Sequence, residues 1–225
     1  MVMEFFRRGG ESGLDQVESR ILSMLGDARH SFDLATNTIL TGGDPVPIGN
    51  DIRETDDRIN TAEQELRSEL VVHVSVQGAA DIGTVLAYTL LIKKIERIGD
   101  QAKNILDLAF EDVSFAGADD VDEMFEHCRT ISALFGEAIE LLGSPDDEQV
   151  EDYLNRVHEL RHDFEARLRT FMHSSEPAQY AVPRAIFFRY LKRIVANLAG
   201  ILTSATEPLQ HQDYLDDGAT DIVDD

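Results

Sequence analysis

Residues 95–105 read IERIGDQAKNI, and this stretch decides the fold class that the sequence predicts. Its apolar residues recur at spacings of three and four, which is typical of one face of an α-helix. Glu96 and Asp100 lie one turn apart on the neighbouring face. Gly99 stands in mid-helix, where it costs about 1 kcal/mol relative to alanine. We therefore expect another helix or a bound ion to come close at this point.

The rest of the chain has the same helical periodicity. Segments rich in glycine, proline or serine divide it into six helices, which we expect at about 11–42, 50–75, 81–113, 119–142, 146–173 and 183–206. Asn50 and Asp81 are the expected N-caps of the second and third helices, and Pro183 is expected in the first turn of the sixth. Residues 71–76, VVHVSV, have strand propensity, but no second strand-like run exists to pair with them. We therefore predict that they end the second helix.

Six helices in two sets of three predict an all-α fold of two consecutive three-helix bundles. A modest internal repeat supports this, because residues 94–98, KIERI, are similar to residues 190–194, YLKRI. We expect an N-terminal segment at 1–10, the first bundle at 11–115, the second bundle at 116–210, and an acidic, disordered tail at 211–225.

The charge of the chain excludes several classes of function. The 43 acidic and 20 basic residues give a net charge of −23, which excludes non-specific binding to nucleic acid. No run of apolar residues is long enough to span a membrane or to form a secretory signal, so we expect no direct membrane insertion. One cysteine, Cys128, excludes an intramolecular disulfide and a cysteine-based zinc site. These observations predict a cytoplasmic protein.

The source of the charge is informative as well. Aspartate is the most frequent acid and lysine occurs only four times, which is typical of a protein that works in high salt. At about 1 M salt the Debye length is about 3 Å, so repulsion between surface carboxylates is largely screened. The alternative is an acidic face that docks on one basic partner.

Two stripes of oxygen ligands are the candidate functional site. The stripe on the second helix comprises Asp56, Asn60 and Glu63, and the stripe on the third helix comprises Glu96 and Asp100. Carboxylates one turn apart can hold a metal when a neighbouring helix supplies more oxygens. Neither stripe includes histidine or cysteine, which favours Mg, Ca, Mn or iron over Zn or Cu.

Other interpretations of the same residues remain open. Glu96 and Asp100 can instead form ordinary ion pairs with Arg97, Lys103 or an arginine of another helix. A helical-bundle metalloenzyme is a further alternative, but the Glu-x-x-His motif at Glu159 has no mate in the chain. A phosphate-binding glycine loop, a nucleophile elbow and a dinucleotide fingerprint are all absent from the sequence, so we do not expect an enzyme.

The motif also carries a family resemblance. Asp81-Ile82, followed 14 residues after Asp81 by IERIGDQAKNI, resembles the PhoU family of phosphate-uptake regulators. The positions that match the family motif are Glu96, Arg97, Ile98, Gly99, Asp100, Asn104 and Ile105. On the second helix, the acidic stripe of that family is matched by Asp56, Ile59, Asn60 and Glu63. Gly83 stands where the family usually has arginine.

The resemblance implies a pair of three-helix bundles and a cytoplasmic regulator of phosphate transport that acts by protein–protein interaction. The implied partner is the ATPase subunit of the phosphate ABC transporter or an associated signalling protein, and a homodimer is left open. Some members bind iron or other divalent clusters through E/D-x-x-x-D motifs. The implied cofactor is therefore iron or another divalent metal, with magnesium, manganese and zinc as alternatives. Asp81, Arg97, Gly99 and Asn104 are implied to be structural motif residues.

The second half departs from the family pattern. The motif contains an acidic residue, followed by an aspartate and an asparagine. In the second half these three positions hold Lys192, Ala196 and Gly200. On the fifth helix, the positions that match the acidic stripe hold Leu154, His158 and Arg161. We therefore expect at most one metal site, in the first bundle, and a metal-free helical adaptor is the remaining alternative.

Overall fold

The computed structural model of the chain describes residues 15–77, 81–144 and 146–206. These residues form six α-helices, which are α1 (Asp15–Thr41), α2 (Pro45–Gln77), α3 (Ile82–Phe110), α4 (Val121–Gly143), α5 (Asp147–Met172) and α6 (Ala178–Thr206). No strand occurs within these ranges, and residues 71–76 belong to α2 as predicted. The predicted N-terminal segment 1–10 and acidic tail 211–225 lie outside the described residues.

The helices form two consecutive three-helix bundles, as the sequence predicted. α1, α2 and α3 pack together in the first bundle, and α4 and α5 pack with α6 in the second. The bundles are joined along their length, because α3 packs on α6 and α1 packs on α4. One continuous cluster of buried apolar side chains crosses this junction. The exact limits of the two bundles stay a prediction.

Two helices begin earlier than the sequence predicted. α2 starts at Pro45. The N–H groups of a first helical turn have no partner inside the helix, so the missing N–H of proline costs nothing there. Asp44 Oδ1 accepts a hydrogen bond from Val46 N at 2.9 Å. Asn50 is therefore inside α2 and is not its N-cap. α6 starts at Ala178 because the carbonyl of Pro177 accepts hydrogen bonds from two backbone N–H groups of its first turn. The prediction that Pro183 opens α6 was wrong by about one turn.

The connection between α3 and α4 is tied to the end of α1. Phe115 N donates a hydrogen bond to Ile39 O at 2.9 Å, and the ring of Phe115 is fully buried. Gly42, just after α1, has a φ of +70°, and a side chain there would also meet Ser114. The connection is therefore part of the packed structure. Among the described helices, none has a stretch long and apolar enough to cross a membrane.

Candidate functional site

The two predicted stripes of oxygen ligands lie opposite each other on α2 and α3. The interface has two levels along the helices. At each level, a different lysine of α3 contacts one carboxylate of α2 and one carboxylate of α3. The contacts place Asp56 near Asp100 at one level and Glu63 near Glu96 at the other. The structure therefore brings together the four predicted carboxylates as two pairs, and each pair has an ammonium group beside it.

The first pair is bridged by Lys103. Its Nζ lies 2.8 Å from Asp56 Oδ1 and 2.9 Å from Asp100 Oδ1. Asn60 Nδ2 donates a hydrogen bond to the other oxygen of Asp56 at 3.2 Å. Burial disfavours the charged ammonium, but the hydrogen bonds to Asp56 and Asp100 outweigh this and raise the pKa of Lys103 above its ordinary value. The lysine therefore stays charged at neutral pH.

The second pair is held by Lys93 and Arg67. Lys93 Nζ lies 2.7 Å from Glu96 Oε2 and 4.0 Å from Glu63 Oε1, and Arg67 Nη2 lies 2.7 Å from Glu63 Oε1. Both carboxylates are mostly buried. Glu63 Oε1 and Glu96 Oε2 make these ion contacts without a hydrogen bond of good geometry. This level therefore has two buried oxygens whose hydrogen-bonding capacity is not used.

The four other motif residues have different surroundings. Gly99 is buried, and a Cβ there would lie 3.4 Å from Ile59 Cδ1, so an apolar side chain of α2 approaches it. Asp81 makes no N-cap hydrogen bond and instead lies 2.8 Å from His73 Nε2 of α2. Arg97 is exposed on α3, and Asn104 is half-buried. Neither the Asp81 side chain nor the Asn104 side chain makes a hydrogen bond or an ion pair with the carboxylate pairs.

The donor chemistry of the stripes fits a hard cation, because all five predicted ligands offer oxygen atoms. The arrangement of the side chains is less favourable for binding a metal ion, because the ammonium groups of Lys93 and Lys103 lie beside the carboxylates. Among the described residues, no group of three or more His, Cys, Asp or Glu side chains is placed to hold a metal ion. A cation could therefore enter only where it displaces an ammonium group.

Sequence reasoning included Lys103 as an alternative partner but missed Lys93, Arg67 and His73. A signal for the lysines was present. Only four lysines occur in the chain, and two of them stand three residues from a motif acid. That spacing places Lys93 beside Glu96 on one helix face.

The second bundle has an ion pair at the corresponding level. Lys192, which stands where the motif has its acid, pairs with Glu165 of α5. The hydrogen bond from Lys192 lowers the pKa of Glu165, although partial burial opposes this. Ala196 contributes no ligand. The negative charge of Glu165 is therefore neutralised by a lysine of the same chain.

Comparisons with known proteins agree with the fold. The family model of the PhoU domain matches residues 21–109, which cover most of α1 to α3. A search of curated proteins finds no match. Among solved structures, the crystal structure of PhoU from Pseudomonas aeruginosa is similar with a TM-score of 0.72 and 21% identity, over 85% of this chain and 94% of that chain. The resemblance to the PhoU family is therefore confirmed, with a PhoU domain at residues 21–109 in a chain that has the PhoU fold.

Proposed function

We propose that the protein is a cytoplasmic PhoU-type regulator of phosphate homeostasis that acts by binding and not by catalysis. The observation that carries this proposal is the match of residues 21–109 to the PhoU domain. The chemistry of the single cysteine agrees with it, because burial raises the pKa of Cys128 to about 12. A thiol with that pKa stays protonated at neutral pH and is a poor nucleophile.

The partner that we propose is the ATPase subunit of a phosphate ABC transporter or an associated signalling protein. An exposed apolar patch supports a protein-binding role. It lies on both sides of residues 78–80, at the end of α2 and the start of α3, and comprises Val71, Val72, Val76, Ile82, Leu86 and Leu90. These side chains are exposed and lie close together along two consecutive helices, so we treat them as one surface. Large exposed apolar surfaces are typical of interaction sites.

Affinity capture from phosphate-replete cells tests this function. The full-length parent should enrich the transporter ATPase or a phosphate-signalling protein, identified by mass spectrometry. Val72→Glu/Val76→Glu should lose that protein, because two charges enter the patch. The matched control is Val46→Glu/Val182→Glu, which alters two exposed valines elsewhere and should retain the partner. Equal loss in both variants, or capture of neither protein by the parent, contradicts the proposal.

We also propose a hard divalent or trivalent cation as an occupant of the carboxylate pairs. The supporting observation is that Glu63 Oε1 and Glu96 Oε2 are buried with no hydrogen bond of good geometry. Elemental analysis of protein purified without chelator should find metal, and Glu96→Ala/Asp100→Ala should abolish it while the fold persists. If the parent holds no metal and Glu96→Ala alone strongly destabilises the fold, the carboxylates form ordinary ion pairs with Lys93 and Lys103 and do not bind a metal.

A further inference from the structure

A groove beside the carboxylate pairs differs in charge from the rest of the molecule. It has a volume of about 760 Å³ and lies between the start of α2, the second half of α3 and the first half of α6. Its charged lining residues are Arg53, Asp100, Lys103, Asp107, Arg189 and Arg193. Four of these six are basic, although the chain has 20 basic and 43 acidic residues. The groove is therefore a local excess of positive charge on an acidic protein.

A second groove shows what the acidic composition produces elsewhere. That groove has a volume of about 820 Å³ and lies between α4 and α5. Its charged lining residues are Glu137, Glu140, Asp146, Glu148, Asp152 and Arg156. Five of those six are acidic, so two grooves of similar size have opposite charge. The basic character of the first groove is not a general property of the clefts in this fold.

Three guanidinium groups of the basic groove have no carboxylate partner among the described residues. Arg189 and Arg193 are exposed on α6 and make no ion pair there. Arg53 donates only to the neutral side chain of Asn50, at 2.7 Å. Arginines elsewhere, such as Arg58 and Arg156, pair with nearby carboxylates. Charges left unpaired in a protein with surplus carboxylates are available to an anionic ligand.

The acidic residues of the groove reduce this charge without cancelling it. Lys103 pairs with both Asp100, at 2.9 Å, and Asp56, at 2.8 Å, so these three groups together keep about one negative charge. Asp107 is exposed, and its single negative charge is smaller than the three positive charges of the guanidinium groups. The groove therefore keeps a net positive charge.

A buried polar group adds chemical specificity to the groove. Gln101 is only 6% exposed, lines the groove, and has an Oε1 atom with no hydrogen-bond partner among the described residues. The oxygen itself has almost no exposed surface, so it accepts a hydrogen bond from a ligand when the Gln101 side chain turns toward the groove. A ligand that satisfies both features carries anionic oxygens for the arginines and a hydroxyl group for Gln101.

We propose that this groove binds a phosphoryl anion. Guanidinium groups bind phosphate oxygens in a bidentate manner, and a protonated phosphate oxygen can donate to Gln101. Sulfate has the same shape but no hydroxyl group at neutral pH. The groove volume is within the range of about 300–1,000 Å³ that small-molecule sites occupy, so a phosphate ester or a short polyphosphate also fits.

Isothermal titration calorimetry with the full-length protein tests the proposal. The probes are inorganic phosphate, tripolyphosphate and ATP, with sulfate as the comparison, in KCl at which circular dichroism shows every variant folded. We expect saturable binding of at least one phosphoryl probe. Arg189→Gln/Arg193→Gln should weaken it about tenfold or more, since loss of two charge-assisted contacts costs at least about 1.4 kcal/mol. Gln101→Leu should reduce the preference for phosphate over sulfate.

The matched control is Arg129→Gln/Arg169→Gln, which changes the net charge by the same amount outside the groove. It should bind the probes like the parent. The three phosphoryl probes distinguish free phosphate from polyphosphate and nucleotide as the source of the group. Equal weakening by both double variants, equal affinity for sulfate, or no saturable binding of any phosphoryl probe overturns the proposal.

Discussion

Two glycines at helix crossings have different environments, although the sequence shows only a glycine in a helix at both positions. The sequence predicted a close approach at Gly99, and the group that approaches is Ile59 Cδ1, 3.4 Å from where a Cβ would lie. At Gly200 a Cβ would lie 2.6 Å from Lys94 Nζ and 2.8 Å from Lys94 Cδ. The close approach is therefore tighter at Gly200, where α6 packs on α3. The family motif has asparagine at the position of Gly200, so the motif does not predict a glycine there.

Alanine substitution should separate these two glycines. Gly99→Ala gains helix propensity and meets only ordinary van der Waals contact, so stability should stay level or rise by up to about 1 kcal/mol. Gly200→Ala forces the buried side chain of Lys94 to move and should destabilise by about 1–3 kcal/mol. Chemical denaturation of both variants measures this. The reverse order of stabilities contradicts the packing described.

His127 gives the second bundle part of its dependence on pH. Its ring lies mostly buried against Phe164 and Phe188, with Asp163 at 3.7 Å. Burial lowers the pKa of His127, the nearby charge of Arg167 lowers it further, and the carboxylates of Asp163, Glu123 and Glu126 oppose this incompletely. The folded state therefore favours the neutral imidazole.

The sign of the effect of His127 follows from linkage. An unfolded histidine has a pKa of about 6.5, so below that pH the unfolded state binds a proton that the folded state resists. The stability contributed by neutral His127 is present above pH 6.5 and declines as the pH falls through the folded pKa. His127→Gln should remove the part of the loss of stability at low pH that His127 causes. The measurement is the difference in free energy of unfolding between pH 7.5 and pH 5.5, which should be smaller in the variant than in the parent. An unchanged difference contradicts the assignment.

At the scale of elements, the sequence predicted which helix faces meet but not which side chains lie between them. Apolar periodicity specified the six helices, and carboxylate spacing specified two facing stripes. The positions of Lys93 and Lys103 depend on long, flexible side chains, and the neighbouring helix determines where these point. The starts of α2 and α6 were missed for a local reason, because proline is accommodated in and near a first helical turn without ending the helix.

Removing the two ammonium groups should show how the α2–α3 interface tolerates its carboxylates. Lys93→Met/Lys103→Met keeps most of the side-chain volume but leaves Asp56, Asp100, Glu63 and Glu96 without the bridging charges. We expect the melting temperature to fall, since like charges then repel at short range. If the carboxylate pairs bind a cation, Mg²⁺ or Mn²⁺ should raise the melting temperature more in this variant than in the parent. No difference in that shift contradicts the metal proposal.

One arginine of α6 holds the segment that connects α3 to α4. Arg184 is 6% exposed and forms two 2.8 Å hydrogen bonds with the carboxylate of Asp120, just before α4. Its guanidinium also lies over the rings of Tyr180, at 3.7 Å, and Phe115, at 5.2 Å. The hydrogen bonds from Arg184 lower the pKa of Asp120 and outweigh the opposing effect of its partial burial. Charge pairing and ring contact therefore fix the α3–α4 connection to α6.

Loss of this anchor should be costly. Arg184→Ala leaves Asp120 partly buried without its partner and should destabilise by about 2–3 kcal/mol at pH 7. Arg129→Ala, at an exposed pair with Glu126, should cost less than about 1 kcal/mol. Because the folded pKa of Asp120 is lowered, the cost at Arg184 should shrink as the pH falls below about 4. Urea denaturation compares the variants, and equal costs at the two sites contradict the anchoring role.

At the scale of the whole molecule, charge is distributed unevenly over the fold. In the part of the chain that the structure describes, ion pairs use most of the bases, and every helix takes part in them. The 43 acids exceed the 20 bases, so many carboxylates have no basic partner. The acidic groove between α4 and α5 collects several of them, whereas the basic groove beside α6 keeps arginines unpaired. Repulsion is therefore concentrated on particular faces.

This surplus of negative charge predicts a strong dependence of stability on salt. At 0.1 M salt the Debye length is about 10 Å, so unpaired carboxylates repel across a groove, whereas at 1 M it is about 3 Å and they do not. The melting temperature should rise by many degrees from dilute buffer to molar KCl and then level off. Glu140→Gln/Glu148→Gln removes two charges from the acidic groove and should raise the melting temperature in dilute buffer, with little effect in molar KCl. A melting temperature that does not depend on KCl, in parent and variant alike, would mean that the acidic surface is adapted to a basic partner and not to salt.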